Sequence, residues 1–277
     1  MLFRLFKEDL KRLFLKKSAY LTIIIYLVIG YANFMFIISE QPFANPYFIQ
    51  PSAFEYFVQV QGGGSGFLMI ILPLLVTLAI GDFFIKERQS SMLSFMLMRT
   101  SSMSYIRNRI TSLGLASSIF LFVCQILLFA LALILFPINA PLEENQGMVF
   151  FALDLLMNSP WVYSFVIIIN SCLMAFCFST FSVIVSVIVK NFYAAMMLPY
   201  FLFIIVSEML NSLPMILGAG GSLFHHFSPL SMIGGYITRD IDLIVLPLYW
   251  LTLTIINAML ATILFNIRIN NDKILIS

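Results

Sequence analysis

The chain is poor in charge and in cysteine, and each shortage excludes something. Only 10% of its 277 residues are Asp, Glu, Lys or Arg, against about 25% in a typical soluble domain. Hydrophobic residues reach 61%, the mean hydropathy is +1.00, and the mass is 31.5 kDa. A soluble domain of that size cannot hide so much apolar surface behind so few charges. An ordinary cytosolic enzyme and a nucleic-acid binder are excluded. Cys124, Cys172 and Cys177 all fall inside apolar runs and read as packing residues; without a disulfide framework a secreted disulfide module is excluded too. No G-x-x-x-x-G-K-[ST] string occurs, so this chain does not bind ATP in that way. The net charge of +2 carries no message about partners; the placement of the charges does.

What is present is a series of long apolar runs. A helical crossing needs about 20 apolar residues, because the hydrocarbon core is ~30 Å thick and a helix rises ~1.5 Å per residue. Six stretches qualify: 19–38, 66–85, 110–136, 161–189, 192–213 and 243–266. The runs are continuous rather than alternating, which excludes a barrel. The expectation is an all-α polytopic membrane protein with six transmembrane helices in one transmembrane domain over 1–277. Every Lys and Arg except Arg239 lies on one side of these crossings. The positive-inside rule makes that side cytoplasmic, and with it both termini. A long basic stretch before the first run and no small-x-small site after it argue against a signal peptide.

Residues 1–18 place Phe3, Phe6, Leu10, Leu13 and Phe14 near one helical face and Arg4, Lys7, Glu8, Lys11 and Lys16 largely on the other. This predicts an amphipathic interfacial helix. Its wet face suits anionic headgroups or a cytoplasmic partner equally. In the external segment 40–65, Ser52 and Glu55 have capping-box spacing, so a short helix starts there. Gly62 to Gly66 then breaks the chain. In 137–160 a short helix over 148–157 is expected on the outer interface. Segment 214–242 is apolar but too short to cross, is split by Gly218, Gly220 and Gly221, and restarts at Ser228-Pro229 with a good helix cap. An external re-entrant hairpin is the expectation. Spans four and five meet at Lys190-Asn191, where Asn can close a helix in the left-handed conformation, giving a tight antiparallel pair. Ser179, Ser182 and Ser186 share a face of span four and read as a packing stripe.

Several strings mimic chemistry and fail on inspection. Gly63-Gly64-Ser65-Gly66 matches a short protease string that needs a His within hydrogen-bond reach, but the only histidines, His225 and His226, sit in an external segment rather than in a span. Glu143-Glu144 lacks the Arg that a membrane protease of the paired-glutamate kind needs. His225-His226 lacks spaced co-ligands, so no metal site is assigned. Glu208, about 24 Å along its helix from Asn191, either faces a watery outer vestibule or reaches the headgroups. Tyr200, Phe203 and Ser207 precede it at spacings of three and four. Asp82, beside Lys86, reads as an interfacial charge.

The loop 86–109 stands apart. After Lys86-Glu87-Arg88 an apolar stretch holding Met92, Leu93, Phe95, Met96 and Leu97 forms a short helix capped by Ser90 or Ser91, and Arg99 to Ser102 breaks it. A helix restarts from Tyr105 to Arg109. Spans four and five read FSVIVSVIVKNFYAAMMLPYFLF, and Phe227-Ser228-Pro229-Leu230 precedes the last span. In these three features the chain resembles the permease subunit of type-two ABC exporters, related to the G-subfamily and to bacterial drug, peptide and polysaccharide exporters. It departs at Ser90-Ser91, where that family has Gly.

The resemblance implies a second permease chain, most simply a homodimer in the bacterial cytoplasmic membrane, and two copies of a cytoplasmic ATPase beneath it. ATP and Mg would sit on the ATPase, with no cofactor and no catalytic residue on this chain. It implies a cytoplasmic coupling helix over 91–97, with Glu87, Arg88, Ser91, Met92, Phe95, Met96, Arg99, Lys190, Lys7 and Lys11 toward the ATPase. It also implies a path lined by Met69, Pro73, Thr77, Tyr200, Phe203, Ser207 and Glu208. A Met- and Phe-rich cavity suits amphipathic peptides or lipophilic drugs. The rival readings are an ion-coupled secondary transporter, which needs paired charges within the membrane, and a non-transporting immunity or sensor protein on the same scaffold.

Overall fold

In lipid only a helix satisfies every backbone N–H and C=O within one segment, so long apolar runs become helices. The computed structural model describes residues 2–40, 51–62, 67–81, 83–89, 92–141, 151–189, 191–217, 227–238 and 241–270. In chain order the helices are α1 (Leu2–Leu15), α2 (Lys17–Glu40), α3 (Ala53–Gly62), α4 (Phe67–Ile80), α5 (Phe83–Gln89), α6 (Met92–Arg99), α7 (Ser102–Leu135), α8 (Leu153–Asn158), α9 (Pro160–Ile188), α10 (Phe192–Leu217), α11 (Pro229–Ile233) and α12 (Val245–Asn270). A 3-10 turn, Gly235–Thr238, follows α11. No strand occurs among the described residues. Five stretches are long and apolar enough to cross a bilayer: Lys17–Ser39, Ser102–Leu135, Pro160–Ile188, Phe192–Leu213 and Val245–Asn270. The chain is an all-α polytopic membrane protein.

Helix α9 is the centre. In its most apolar window 72% of residues are buried, against 28%, 22% and 17% for α2, α10 and α12 at the periphery. Small residues bring α7 against it: Ser117 Oγ donates to the Ala175 carbonyl at 3.1 Å and Ser118 Oγ to that of Cys172 at 2.9 Å.

The run 66–85 is not one helix. Helix α4 has 14 residues, about 21 Å against a hydrocarbon core of ~30 Å. Gly81 forms a turn, and α5 begins at Phe83. The missing length comes from α3. Its capping box is made as expected: the Glu55 carboxylate accepts from Ser52 N–H at 2.6 Å and from Ser52 Oγ at 2.8 Å. Yet α3 is not external, for every residue from Ala53 to Gln61 is buried. Ala53 N–H donates to the Pro137 carbonyl at 2.9 Å. From there α3 descends along α7, with Phe54 and Phe57 against Phe129 and Gln61 against Gln125. At the other end of α4, Lys16 Nζ donates to the Ala79 carbonyl at 3.3 Å. Helices α3 and α4 therefore lead from one end of the bundle to the other as two half-helices. Gly62 closes α3 against the turn after α11: a Cβ there would lie 1.9 Å from the Gly234 carbonyl oxygen.

Further details bear on the expected helix limits. Helix α7 is unbroken from Ser102, its N-terminus capped by Ser101 Oγ, which accepts from Ser104 N–H at 3.4 Å. At the α9–α10 corner it is Val189 that leaves the helix, in extended conformation; Asn191 opens α10 instead, its Oδ1 accepting from Tyr193 and Ala194 N–H. Helix α10 continues past 213 to Leu217. Of the expected hairpin over 214–242, residues 218–226 and 239–240 lie outside the described residues. Helix α11 starts at Ser228-Pro229 as expected, and Met232, Ile233, Tyr236 and Ile237 are buried in the bundle. Of the expected helix over 148–157, α8 occupies Leu153–Asn158 and Leu156 is buried; 142–150 lie outside the described residues.

Candidate functional site

Asp9, Arg12, Glu87, Arg88 and Arg109 converge at one end of the bundle, the basic end, where α1, α5, α6 and the start of α7 meet. Helix α1 does not simply rest there with its polar face in water. It packs along α7 and inserts Asp9, 1% exposed, and Leu13. Arg109, wholly buried on α7, donates from one terminal nitrogen to both Asp9 carboxylate oxygens at 2.7 and 2.6 Å. Ser112 Oγ also donates to Asp9. The second terminal nitrogen of Arg109 pairs with Glu87 Oε1 at 2.9 Å. Tyr105 OH donates to Glu87 Oε2 at 2.9 Å, and Arg12 reaches Glu87 Oε1 at 3.3 Å. Two guanidiniums thus balance two carboxylates across α1, α5 and α7. A buried pair is best held when both charges are compensated and their remaining sites hydrogen-bonded; here Tyr105 and Ser112 serve the two carboxylates, while Arg109 Nε finds no hydrogen-bond partner among the described residues.

Arg88, the neighbour of Glu87, points the other way. Its guanidinium donates to the Ser186 and Val189 carbonyls at 3.1 and 3.3 Å, groups that the end of α9 leaves without helical partners. Burial, and then the nearby Arg268 of α12, push this guanidinium below its usual value. Helix α5 is therefore clamped to α7 by one residue and to α9 by the next.

Helix α6 leaves this clamp as a short arm. Leu93 is buried, and Met96 and Leu97 pack on the core. Phe95 (65% exposed), Met98 (74%) and Arg99 face away from the bundle. The arm ends where Thr100 N–H and Oγ1 both donate to the Met96 carbonyl.

Of the residues expected to meet a partner, Glu87 and Arg88 lie inside this clamp, where they hold the arm and offer little surface. Phe95, Arg99, Lys7 and Lys11 are exposed, and Met92 and Met96 half-buried. Ser91 and Lys190 lie outside the described residues, as do Ser90, Asp82, Ser65, Glu143, Glu144, His225 and His226. Sequence reasoning passed over Asp9 and took Arg109 as one more basic charge. The only signal was an acid in a basic stretch, four residues before Leu13.

Four of the expected path residues, Pro73, Thr77, Phe203 and Ser207, are buried within this one chain. Pro73 and Thr77 are buried in α4, and Thr77 Oγ1 donates to the Leu74 carbonyl at 2.9 Å. Phe203 stacks edge-on against Phe178 at 4.9 Å. Ser207 joins α10 to α11: its Oγ accepts from Leu230 N–H at 3.2 Å, and its carbonyl accepts from Ser228 Oγ. Tyr200 is half-buried and Glu208 exposed. Met69 lies in α4, with its side chain outside the described residues.

Deeper in the bundle is a second polar group, uncharged. Gln61 and Gln125 exchange amide hydrogen bonds at 2.6 and 3.1 Å, and Gln125 Nε2 donates to Ser171 Oγ at 3.1 Å. This ties the tip of α3 to α7 and α9.

No protein-family model matches the chain, and no curated protein matches it. The class that fold and site define is a multi-helix membrane protein with a rigidly clamped arm at its basic end.

Proposed function

We propose that this chain is the permease subunit of an ATP-driven ABC exporter, seated in a bacterial cytoplasmic membrane with its basic end and both termini in the cytoplasm. The half-helices α3 and α4 together make its sixth crossing. The carrying observation is the arm. Helix α6 turns Phe95, Met98 and Arg99 outward at the basic end, while Glu87 and Arg88 bind its root to α1, α7 and α9. Apolar side chains exposed beyond the hydrocarbon need a protein cover, and a rigid root passes the movement of that cover into the crossings. The cover is an ATPase that carries the ATP and Mg, two copies beneath two permease chains. The sparsely buried α2, α10 and α12 leave apolar faces for lipid and for the second permease. Amphipathic peptides or lipophilic drugs are the cargo class, moved outward by alternating access.

An ion-coupled carrier would need charged pairs at mid-membrane. Among the described residues the buried charges are Asp9, Glu87, Arg88 and Arg109 at the basic end and Glu55, bonded to Ser52, at the opposite end, and the deep polar group Gln61–Gln125–Ser171 is neutral.

The test is affinity purification of the tagged chain from its native membrane. An ABC-type ATPase co-purifies, and Phe95→Ala with Met98→Ala lowers its yield at least about tenfold, equivalent to ~1.4 kcal/mol of binding, while the permease still elutes as a folded species. If no ATPase is retained by the unaltered chain, or if the purified chain alone drives concentrative transport in vesicles, the reading fails.

A further inference from the structure

We propose that the turn at Gly81 is a hinge built around one buried water molecule held by the hydroxyls of Ser182 and Ser186. The serine stripe of α9 is more than packing at this level. Ser182 is 4% and Ser186 1% exposed, and neither hydroxyl has a hydrogen-bond partner. A serine in a helix ordinarily returns its proton to a carbonyl of the preceding turn, as Ser179 does to Phe176 at 2.8 Å; Ser182 and Ser186 do not. Both line a small cavity together with Gly81, Phe84, Leu113 and Ser179, and it has room for a single water. A Cβ on Gly81 would come within 3.1 Å of Ser182 Oγ and 2.6 Å of the Thr77 carbonyl oxygen. The hydroxyl therefore faces the turn, and only glycine leaves the space open.

A polar cavity of this size, with about three hydroxyl partners, is what one ordered water fills, and buried donors left without a partner are costly. The described lining offers no carboxylate, so a neutral ligand fits better than a cation. The site lies about one helical turn from the basic end, since Arg88 already meets the carbonyl of Ser186, so water has a short way in.

The position gives the water a use. Beyond Gly81, α5 and α6 are bound through Glu87 and Arg88 to α1, α7 and α9; before it, α4 packs on α2, α9 and α10. Any swing of the arm relative to α4 is absorbed at the turn. Hydroxyls joined through water can change partners during such a swing, whereas direct bonds would have to break. This use rests on the coupling reading above; the water site does not.

The experiment takes the full chain in lipid nanodiscs at a resolution that shows ordered water, and follows amide exchange over residues 83–89. A density peak within about 3.2 Å of both hydroxyls is expected, unchanged when choline replaces sodium. Ser182→Val, whose methyls fill the cavity, removes the peak and slows exchange over 83–89 several-fold, while Ser182→Thr, which keeps the hydroxyl, retains both properties. In complex with an ATPase, Ser182→Val still binds it but no longer transports. An empty cavity, hydroxyls turned onto the carbonyls of Phe178 and Ser182, a peak that vanishes without sodium, or unaltered exchange in Ser182→Val each overturns the proposal. Absence of any ATPase partner would end the coupling reading and leave the peak and the exchange to decide the site.

Discussion

Arg109 sits wholly buried between Asp9 and Glu87, so removing its charge strands Asp9 and leaves Glu87 with Arg12 as its ion-pair partner. Arg109→Gln is expected to lower stability by about 3–5 kcal/mol, the usual result of breaking one side of a buried pair. Asp9→Asn falls in the same range. The double variant loses clearly less than the sum, because the second change removes a charge the first left unpaired. Unfolding midpoints in detergent for the four proteins give the coupling; strict additivity would mean that the two side chains do not meet.

At the scale of the element, two contacts hold helices whose own ends are weak. Arg88 covers the last carbonyls of α9. Arg88→Met keeps the stem but removes the donors, and amide exchange over 183–189 is expected to rise while exchange in the middle of α9 stays constant; equal exchange in both variants would show that water covers those carbonyls instead. The tip of α3 is held by the Gln61–Gln125 amide pair. Gln125→Leu strands a buried amide and is expected to cost about 1–3 kcal/mol. Gln61→Leu with Gln125→Leu costs less than either single change, since two apolar partners leave little to satisfy and such bonds average only ~0.6 kcal/mol in a membrane protein. Thermal unfolding of the three variants measures this, and a double variant less stable than both singles would contradict it.

For the whole molecule, the end of α12 returns to the basic end, where α1 also packs. Phe265 meets both Tyr105 and Phe84, and Arg268 lies near Arg88. Reporters fused to the two termini are therefore expected to read the same side of the membrane, the cytoplasmic one under the proposed orientation. Opposite readings would break the bundle as described, and two external readings would overturn the orientation alone.

Composition and hydropathy by themselves determined the helical membrane class and, of six expected crossings, the five long apolar helices, within about four residues at each end except the start of α7, because the cost of placing polar backbone and charge in hydrocarbon acts on each stretch of chain independently of the rest. Short-range signals were legible for the same reason: the Ser52–Glu55 capping box, the Ser228-Pro229 start and the break after Arg99 all act within a few residues. Tertiary structure alone decided that α3 is buried, that Glu87 and Arg88 hold the arm instead of presenting it, and that Ser207 receives α11. It also decided that Asp9 belongs to Arg109. Those partners lie 100 positions apart in the chain, and a buried charge selects its counterpart by where packing brings the helices, which no local period records.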